Sequence, residues 1–393
     1  MIKFALRRNL IYPFQLLIFN VLRDTESTLI STFFDFSNPL IYTPLMFLGE
    51  FSAGIIIYLY HKKFLSNNNK QKELPKSHNV KLILNQSYLT AIDSNKKIIF
   101  LIFISAFFDF VQFMISLHTP KFLYISGSIE SRLGGFLTIF DALFYYYVLR
   151  FRIYRHQLFS LIVIGICLGI VVISEFFFQE INIFVSYGQF FAVIFLNFVK
   201  QFCSAMVDSV EKYLFEYNKL NQFLALMFEG IFGFILSFFY SLFYSPFSDF
   251  ILFKKNHSSS DFAILIFMLL LYSILSGAKN AFRVTTTKVY SPMATTFLDY
   301  ILNPFYMIYD FASKGDYITN GKSNLAYFII NLFLSLIISF CGCVYNEFLI
   351  LFFCNLERDT YNQIIRRSSL ERELNSLSSI PDFEEYGNGS FSF

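Results

Sequence analysis

The chain has 393 residues, of which 55% are hydrophobic and only 15% charged, and Phe alone occupies 56 positions. Ordinary globular domains carry about 25% charged residues, so two or three soluble domains of this total length could not bury so much apolar surface. The composition therefore predicts a polytopic integral membrane protein.

Neither the charges nor the cysteines predict chemistry in the loops. Lys and Arg number 31 against 28 Asp and Glu, which leaves no basic stripe for binding nucleic acid. Five Cys are too few for a disulfide scaffold, and no CxxC motif or Cys/His cluster indicates zinc or redox chemistry. The loops contain no nucleophile and base pair. We therefore predict no catalytic residue, no metal and no cofactor, and a protein that is not an enzyme.

Ten stretches are apolar enough to cross a bilayer, whose hydrocarbon core of about 30 Å requires roughly 20 helical residues. In chain order, the predicted spans are residues 9–36, 39–60, 98–118, 122–148, 157–178, 187–207, 221–244, 261–282, 290–311 and 325–345. The predicted fold is an all-α membrane protein of ten transmembrane helices.

The first span is interrupted by charges. Residues 9–22 alone would form a helix about 21 Å long, so the span has to continue through Arg23, Asp24 and Glu26. The alternative is a cleavable signal peptide, but no small-residue cleavage site precedes the acidic patch. We therefore count this segment as a span.

The distribution of Lys and Arg between the loops predicts the orientation. With ten spans, 22 basic residues fall on one side of the membrane and six on the other, and the richer side faces the cytosol. Both termini are then cytosolic, with a polar linker at 61–97 and a Ser-rich tail at 354–393 that we expect to be disordered. The loop 245–260 is lumenal, which makes Asn256 of the sequon Asn256-His257-Ser258 a predicted glycosylation site.

The spans divide into two halves of five. Residues 1–60 carry the first two spans, 98–178 carry the third to fifth, and 187–345 carry the second half. Two small-residue motifs, Gly165/Gly169 and Ser335/Ser339, close the two halves and are typical of close helix packing. Because five is odd, the second half is inverted relative to the first, as in alternating-access carriers with a binding site near the membrane midplane.

Several segments resemble one transporter family. Residues 46–51 (MFLGEF) resemble the second span of the nucleotide-sugar-transporter-like F branch of the solute carrier 35 family, in the drug/metabolite transporter superfamily. Residues 211–234 resemble its sixth and seventh spans, and Asn280, Ser291 and Asp299 fit its eighth and ninth. The resemblance covers residues 38–346 and implies ten spans in two inverted five-helix repeats, with transport as the activity.

Two departures from this family bear on the substrate. The basic residues that its members commonly place on the fourth and ninth spans are replaced here by Gly134 and Leu302. Arg132 lies two residues earlier, about 160° around the helix from the expected face. These departures disfavour a phosphorylated anion as the substrate.

Ionisable residues within the spans are the candidate substrate-binding residues. A charge at the bilayer centre costs about 2.5–3.5 kcal/mol on insertion scales, so each should face the bundle interior. The candidates are Glu50, Glu130, Arg132, Lys200, Glu229, Lys279 and Asp299. Glu50 and Glu229 each adjoin a glycine, which fits both a structural bond to a neighbouring helix and the binding of substrate or a proton.

The remaining charges allow two interpretations. Lys200 is interpreted as part of a cavity wall, with Glu211 on the same helical face reaching towards the cytosol. Lys279 and Arg283 are four residues apart near the cytosolic end of the eighth span. They either attract an anion or anchor the helix among the lipid headgroups.

We therefore predict a transmembrane carrier that moves a small polar solute or metabolite by alternating access. Its expected location is an intracellular membrane of the Golgi, the ER or the endosome/lysosome system. Two alternatives stay open: a nucleotide-sugar or anionic-metabolite antiporter, and a non-transporting scaffold that works through the linker and the tail. The expected partners are the solute and the lipid bilayer but no nucleic acid, and a homodimer is left open.

Overall fold

The computed structural model describes residues 2–4, 11–34, 39–71, 95–123, 134–178, 187–243, 247–290, 292–305 and 322–352, with a few single positions besides. Almost all of these residues are helical. The elements are β1 (Ile2–Phe4), α1 (Ile11–Phe34), α2 (Pro39–Gln71), α3 (Asn95–Leu123), α4 (Phe136–Tyr147), α5 (Arg155–Phe178), α6 (Tyr187–Glu216), α7 (Gln222–Phe243), α8 (Phe247–Asn256), α9 (Ser259–Val289), α10 (Pro292–Ile301), α11 (Lys322–Tyr345) and β2 (Leu349–Leu351).

Seven helices in the described part of the chain are long and apolar enough to cross a membrane: α2, α3, α5, α6, α7, α9 and α11. Large apolar side chains such as Phe195, Phe243 and Ile274 are exposed on their outer faces. Such helices are typical of segments that contact lipid. The prediction of an all-α, multi-pass integral membrane protein is therefore confirmed.

The other three predicted spans overlap α1, α4 and α10. Helix α1 is continuous through Arg23, Asp24 and Glu26. Helices α4 and α10 have 12 and 10 residues, so they are only about 18 and 15 Å long. The neighbouring residues 124–133 and 309–321 lie outside the described ranges, so the count of ten spans stays a prediction.

The predicted soluble pieces are only partly described. Helix α2 continues beyond the predicted span to Gln71, and α3 already begins at Asn95. Both ends of the predicted linker 61–97 are therefore helical. Its middle, residues 72–94, and nearly all of the tail 354–393 lie outside the described residues.

The helices pack in two groups. In the first group, α2 contacts α7 and α9, while α3 contacts α6 and α7, and α1 contacts α9. In the second group, α5 packs on α11 around Ile164, Leu168 and Ile338, and α4 contacts both α5 and α10. The groups are joined by contacts of α4 with α6 and of α10 with α1.

Glycines allow α2 to lie very close to both of its neighbours. A Cβ atom on Gly54 would lie 2.7 Å from the backbone nitrogen of Met227 in α7. A Cβ atom on Gly277 of α9 would lie 2.6 Å from the carbonyl carbon of Gly49. Neither position has room for a larger residue.

The described part of the chain does not give Gly165 and Gly169 the predicted packing role. Among the described residues, no atom lies within 4 Å of a Cβ built on Gly169, and at Gly165 the nearest is the Ile139 side chain at 3.9 Å. Instead, α5 contacts α11 through Cys167, Leu168 and other larger side chains on a different face.

A helix cap and a short sheet fix two further parts of the fold. Ser258 caps the N-terminus of α9, because its hydroxyl group accepts a hydrogen bond from the backbone N–H of Asp261 at 3.2 Å. Strands β1 and β2 pair in antiparallel fashion, with Ile2 opposite Leu351. The segment before α1 and the segment after α11 are therefore hydrogen-bonded to each other.

Candidate functional site

Five helices of the first group bring polar side chains together in the bundle interior. They are α2, α3, α6, α7 and α9, and each contributes at least one ionisable residue. We name this group the polar cluster: Glu50, Asp109, Asp208, Glu211, Glu229, Lys279, Asn280 and Arg283. No single stretch of sequence contains it, because its residues lie on five separate segments.

Arg283 joins α9 to α6 through two ion pairs. Its Nη1 atom donates to Oδ1 of Asp208 at 2.9 Å, and its Nη2 atom donates to Oε1 of Glu211. The two carboxylates are three residues apart, so they lie on one face of α6, and the guanidinium group can engage both. Glu211 is fully buried. Arg283 is therefore the counter-ion of two acidic groups.

Glu50 is bound to α9 by an amide. The Asn280 Nδ2 group donates a hydrogen bond to Oε1 of Glu50, whose side chain is buried. The neighbouring Gly49 removes the side chain that would otherwise keep α2 away from α9. The predicted structural role of Glu50, a bond to a neighbouring helix, is therefore supported: its partner is Asn280, one helix turn from Arg283.

Glu229 is a buried member of the cluster with one carboxyl oxygen that lacks a hydrogen-bond partner within the described part of the chain. Its side chain is 5% exposed, and Gly230 beside it packs on the backbone of Phe51 in α2. Glu229 interacts electrostatically with Glu211, Glu50 and Arg283. Its Oε1 atom is buried and has no hydrogen-bond partner among the described residues, and the same is true of Oε2 of Glu211.

Asp109 contributes the fifth carboxylate, from α3. It accepts a hydrogen bond from Nε2 of Gln112, one turn later in the same helix. The positive charges of Arg283 and Lys279 both attract it. The half-buried Lys279 therefore lies close enough to Asp109 for the two charges to interact.

The charges of the cluster do not balance. Five carboxyl groups stand against the two cations Lys279 and Arg283, and four of the five (Glu50, Asp208, Glu211 and Glu229) are buried, where water screens charges poorly. Such a site attracts protons, cations and hydrogen-bond donors, and it repels anions. It has no spare cation to receive a phosphate group, because Arg283 is held between Asp208 and Glu211.

Lys212, a basic residue outside the cluster, fixes the C-terminal end of α9. The buried Nζ atom of Lys212 donates to the backbone oxygens of Thr287 and Lys288 at 3.1 and 3.2 Å. It also forms an ion pair with Glu216 at 3.0 Å. A cation on the last carbonyls of a helix stabilises that helix end, so Lys212 holds α9 against α6.

The structure brings together some of the predicted site residues. Glu50, Glu229 and Lys279 meet in the polar cluster, whereas Lys200 lies about 12 Å from Asp208 along α6. Asp299 belongs to α10, but its side chain lies outside what the structure describes. Glu130 and Arg132 are also outside the described residues. The predicted glycosylation site Asn256 is exposed at the end of α8.

One interpretation from the sequence is wrong: Glu211 does not reach towards the cytosol, because it is buried against Arg283. For Arg283, the sequence left open attraction of an anion and anchoring among headgroups, and the structure instead pairs it with Asp208 and Glu211. The sequence signal for this pairing was the presence of opposite charges on two apolar helices: acidic residues on α6 and basic residues on α9.

Two other buried carboxylates lie outside the cluster. Asp141 of α4 accepts a hydrogen bond from Thr296 Oγ1 of α10 at 2.9 Å, which links the two halves. Glu26 of α1 is buried, and neither of its carboxyl oxygens has a hydrogen-bond partner in the described part of the chain. Sequence reasoning treated Glu26 only as an interruption of the first span.

No protein-family model matches the chain, and no curated protein matches it. Function therefore has to follow from the polar cluster and from the arrangement of the helices around it.

Proposed function

We propose that the protein is a carrier that moves a small polar solute across an intracellular membrane by alternating access. The observation that carries this proposal is the polar cluster, in which five apolar helices converge on buried charges. Charges inside a membrane are expensive and are typical of substrate or ion pathways. A scaffold working through its linker and tail would not need them.

The helix contacts support two repeats of five helices. If α1 to α5 are matched in order with α6, α7, α9, α10 and α11, contacts of one half recur in the other. The contact of α1 with α9 corresponds to that of α6 with α3, and α2 with α9 corresponds to α7 with α3. Likewise α4 with α6 corresponds to α10 with α1. This exchange favours the predicted inverted repeats.

The resemblance to solute carrier 35 proteins agrees with the geometry at its most specific segments. Residues 46–51 carry Glu50, and residues 211–234 carry Glu211 and Glu229, so both segments contribute to the polar cluster. Membership of that family remains our proposal. The intracellular membrane and the cytosolic termini belong to the same proposal.

The charge balance favours a neutral or cationic solute over a nucleotide sugar. Binding a diphosphate at the membrane midplane requires paired cations or helix N-termini aimed at the anion. Arg283 is engaged by two carboxylates, and Lys279 faces Asp109. An anionic substrate would have to displace these acidic partners.

The experiment is a transport assay guided by a thermal screen. Purified protein is first tested for solute-induced thermal stabilisation across a metabolite library, and the stabilising compounds are then assayed in proteoliposomes. We expect Glu50→Gln and Glu229→Gln to keep expression and folding while suppressing transport. Glu216→Gln is the matched control: this partly exposed carboxyl group lies outside the cluster, Lys212 keeps its backbone acceptors without it, and the variant should transport normally. Full transport by the double Glu50→Gln/Glu229→Gln variant would contradict the proposal.

The anionic alternative has its own test. Proteoliposomes preloaded with nucleoside monophosphates are supplied with UDP-, GDP- and CMP-sugars outside. We expect no exchange above protein-free vesicles. Robust exchange would mean that Lys279, Arg283 or Arg132 provides the missing cations, and that the charge argument fails.

A further inference from the structure

The carboxyl groups of Glu211 and Glu229 form a pair between α6 and α7. They interact directly with each other, and their side chains are 0% and 5% exposed. One oxygen of each, Oε2 of Glu211 and Oε1 of Glu229, lacks a hydrogen-bond partner among the described residues. Within the described chain, one buried acceptor atom of each carboxyl group is therefore left without a donor, with Ser105 as the nearby hydroxyl group.

The surroundings of this pair are acidic on several sides. Glu50 of α2 acts on both members, Asp109 of α3 acts on Glu211, and Asp208 shares Arg283 with Glu211. The positive charge comes from α9, through Arg283 and Lys279, and Ser105 of α3 is the neutral polar neighbour of Glu229. Arg283 already serves two carboxylates. It cannot also neutralise Glu229.

From this arrangement we propose that Glu229 and Glu211 share one exchangeable proton, which makes the pair a proton-binding site of the polar cluster. Two adjacent carboxyl groups cannot both be ionised in a buried site without a further cation. A proton on Glu229 supplies the missing donor, so that one carboxyl group donates a hydrogen bond to the other. No bond other than O–H forms or breaks, and the proton is taken from water.

The proton gives the proposed carrier a candidate coupling ion. Only this consequence rests on the proposed function, because the proton site itself follows from the burial and pairing of the two carboxyl groups. Binding of the proton would change the charge facing Arg283, and Arg283 holds α6 to α9. The class of transport would then be proton-coupled movement of a neutral or cationic solute.

Infrared difference spectroscopy of the purified full-length protein tests the site without any solute. The protein is titrated from acidic to alkaline pH in sodium-free buffer, and the carbonyl stretching band of protonated carboxyl groups is followed. We expect a band that titrates in the wild type and is lost in Glu229→Gln. Glu211→Gln should also lose or shift it, because the shared hydrogen bond is gone. Asp141→Asn is the control, since this buried carboxyl group lies on α4 outside the cluster, and its loss should leave unchanged the band component that Glu229→Gln removes.

Each outcome decides the proposal. Identical titrating bands in the wild type, Glu229→Gln and Glu211→Gln would overturn it, as would a band that sodium suppresses at constant pH, which would indicate a sodium site. If Glu229→Gln fails to fold, Glu211→Gln alone decides. A titrating band without transport would leave the proton site standing and contradict the carrier, whereas transport without the band would do the reverse.

Discussion

At the scale of single residues, the fold depends on one guanidinium group. Arg283 is the shared counter-ion of Asp208 and Glu211, and Glu211 is fully buried. Removing one partner of a buried ion pair leaves an uncompensated charge, which is costlier than losing the whole pair. Arg283 is therefore both part of the candidate site and a stabilising contact between α6 and α9.

Arg283→Gln tests this dependence. We expect it to lower the free energy of unfolding by about 3–5 kcal/mol, because both carboxylates then stay buried without their cation. Adding Asp208→Asn and Glu211→Gln to the same chain should recover most of that loss, since no unpaired charge remains. Thermal unfolding in detergent micelles measures the difference. An equal loss with and without the compensating substitutions would mean that Arg283 acts through packing alone.

The sequence predicted some of these residues and misplaced others for a simple reason. Glu50 and Glu229 are isolated acids in apolar runs, so their burial could be inferred from their neighbours alone. Arg283 and Glu211 lie near the ends of their predicted spans, where a charge fits equally well in water. Only the pairing of α6 with α9 distinguishes the two cases, and that pairing depends on tertiary contacts.

At the scale of helices, the packing around α2 depends on the absence of side chains. Gly277 has the carbonyl group of Gly49 against it, so a methyl group there would force α2 and α9 apart. Gly169 of α5 has open space around the same position. These two helical glycines therefore allow one substitution to be compared in two environments.

Gly277→Ala and Gly169→Ala should change stability in opposite directions. We expect Gly277→Ala to destabilise the protein by about 1–3 kcal/mol through overpacking. Gly169→Ala should be neutral or stabilising by up to about 1 kcal/mol, because Ala is the better helix former. Unfolding temperatures of the two variants in the same detergent give the comparison. Similar losses at both positions would contradict the close approach of α2 and α9.

The positions of most helices could be predicted from the lengths of the apolar stretches in the sequence. For example, the predicted second half begins at residue 187, where α6 begins, and ends at residue 345, where α11 ends. Helix α8 was not predicted, because its ten residues carry too little apolar periodicity to stand out from a loop. The Gly165/Gly169 motif failed because spacing alone does not tell which face of a helix meets a neighbour.

At the scale of the whole molecule, the loop charges still favour cytosolic termini after correction by the structure. Lys212, Lys288 and Arg283 were counted as loop residues on one side and Arg23 on the other, but all four lie within helices and bind partners there. Removing them lowers the larger count from 22 to 19 and the smaller from six to five. The direction of the asymmetry is unchanged.

Glycosylation tests this orientation. We expect Asn256 to be modified in microsomes, because it is exposed in the segment between α7 and α9 that the topology places in the lumen. Asn85 and Asn388, which also lie in sequons, should stay unmodified because the proposed orientation puts them in the cytosol. The mobility shift should disappear in Asn256→Gln. Modification of Asn85 or Asn388 would invert the orientation.

The small sheet of β1 and β2 joins the segment before α1 to the segment after α11. This pairing constrains how many times the chain crosses the bilayer. The seven Cα–Cα steps from Phe4 at the end of β1 to Ile11 at the start of α1 span at most about 25 Å, less than the hydrocarbon thickness of about 30 Å. Because β1 pairs with β2, α1 therefore begins at the membrane face where α11 ends. A path that starts and finishes at one face has an even number of crossings, whereas the described residues hold seven candidate spans. The proposed ten spans meet this condition, and gain or loss of a single span would separate Ile2 from Leu351 by the full width of the membrane.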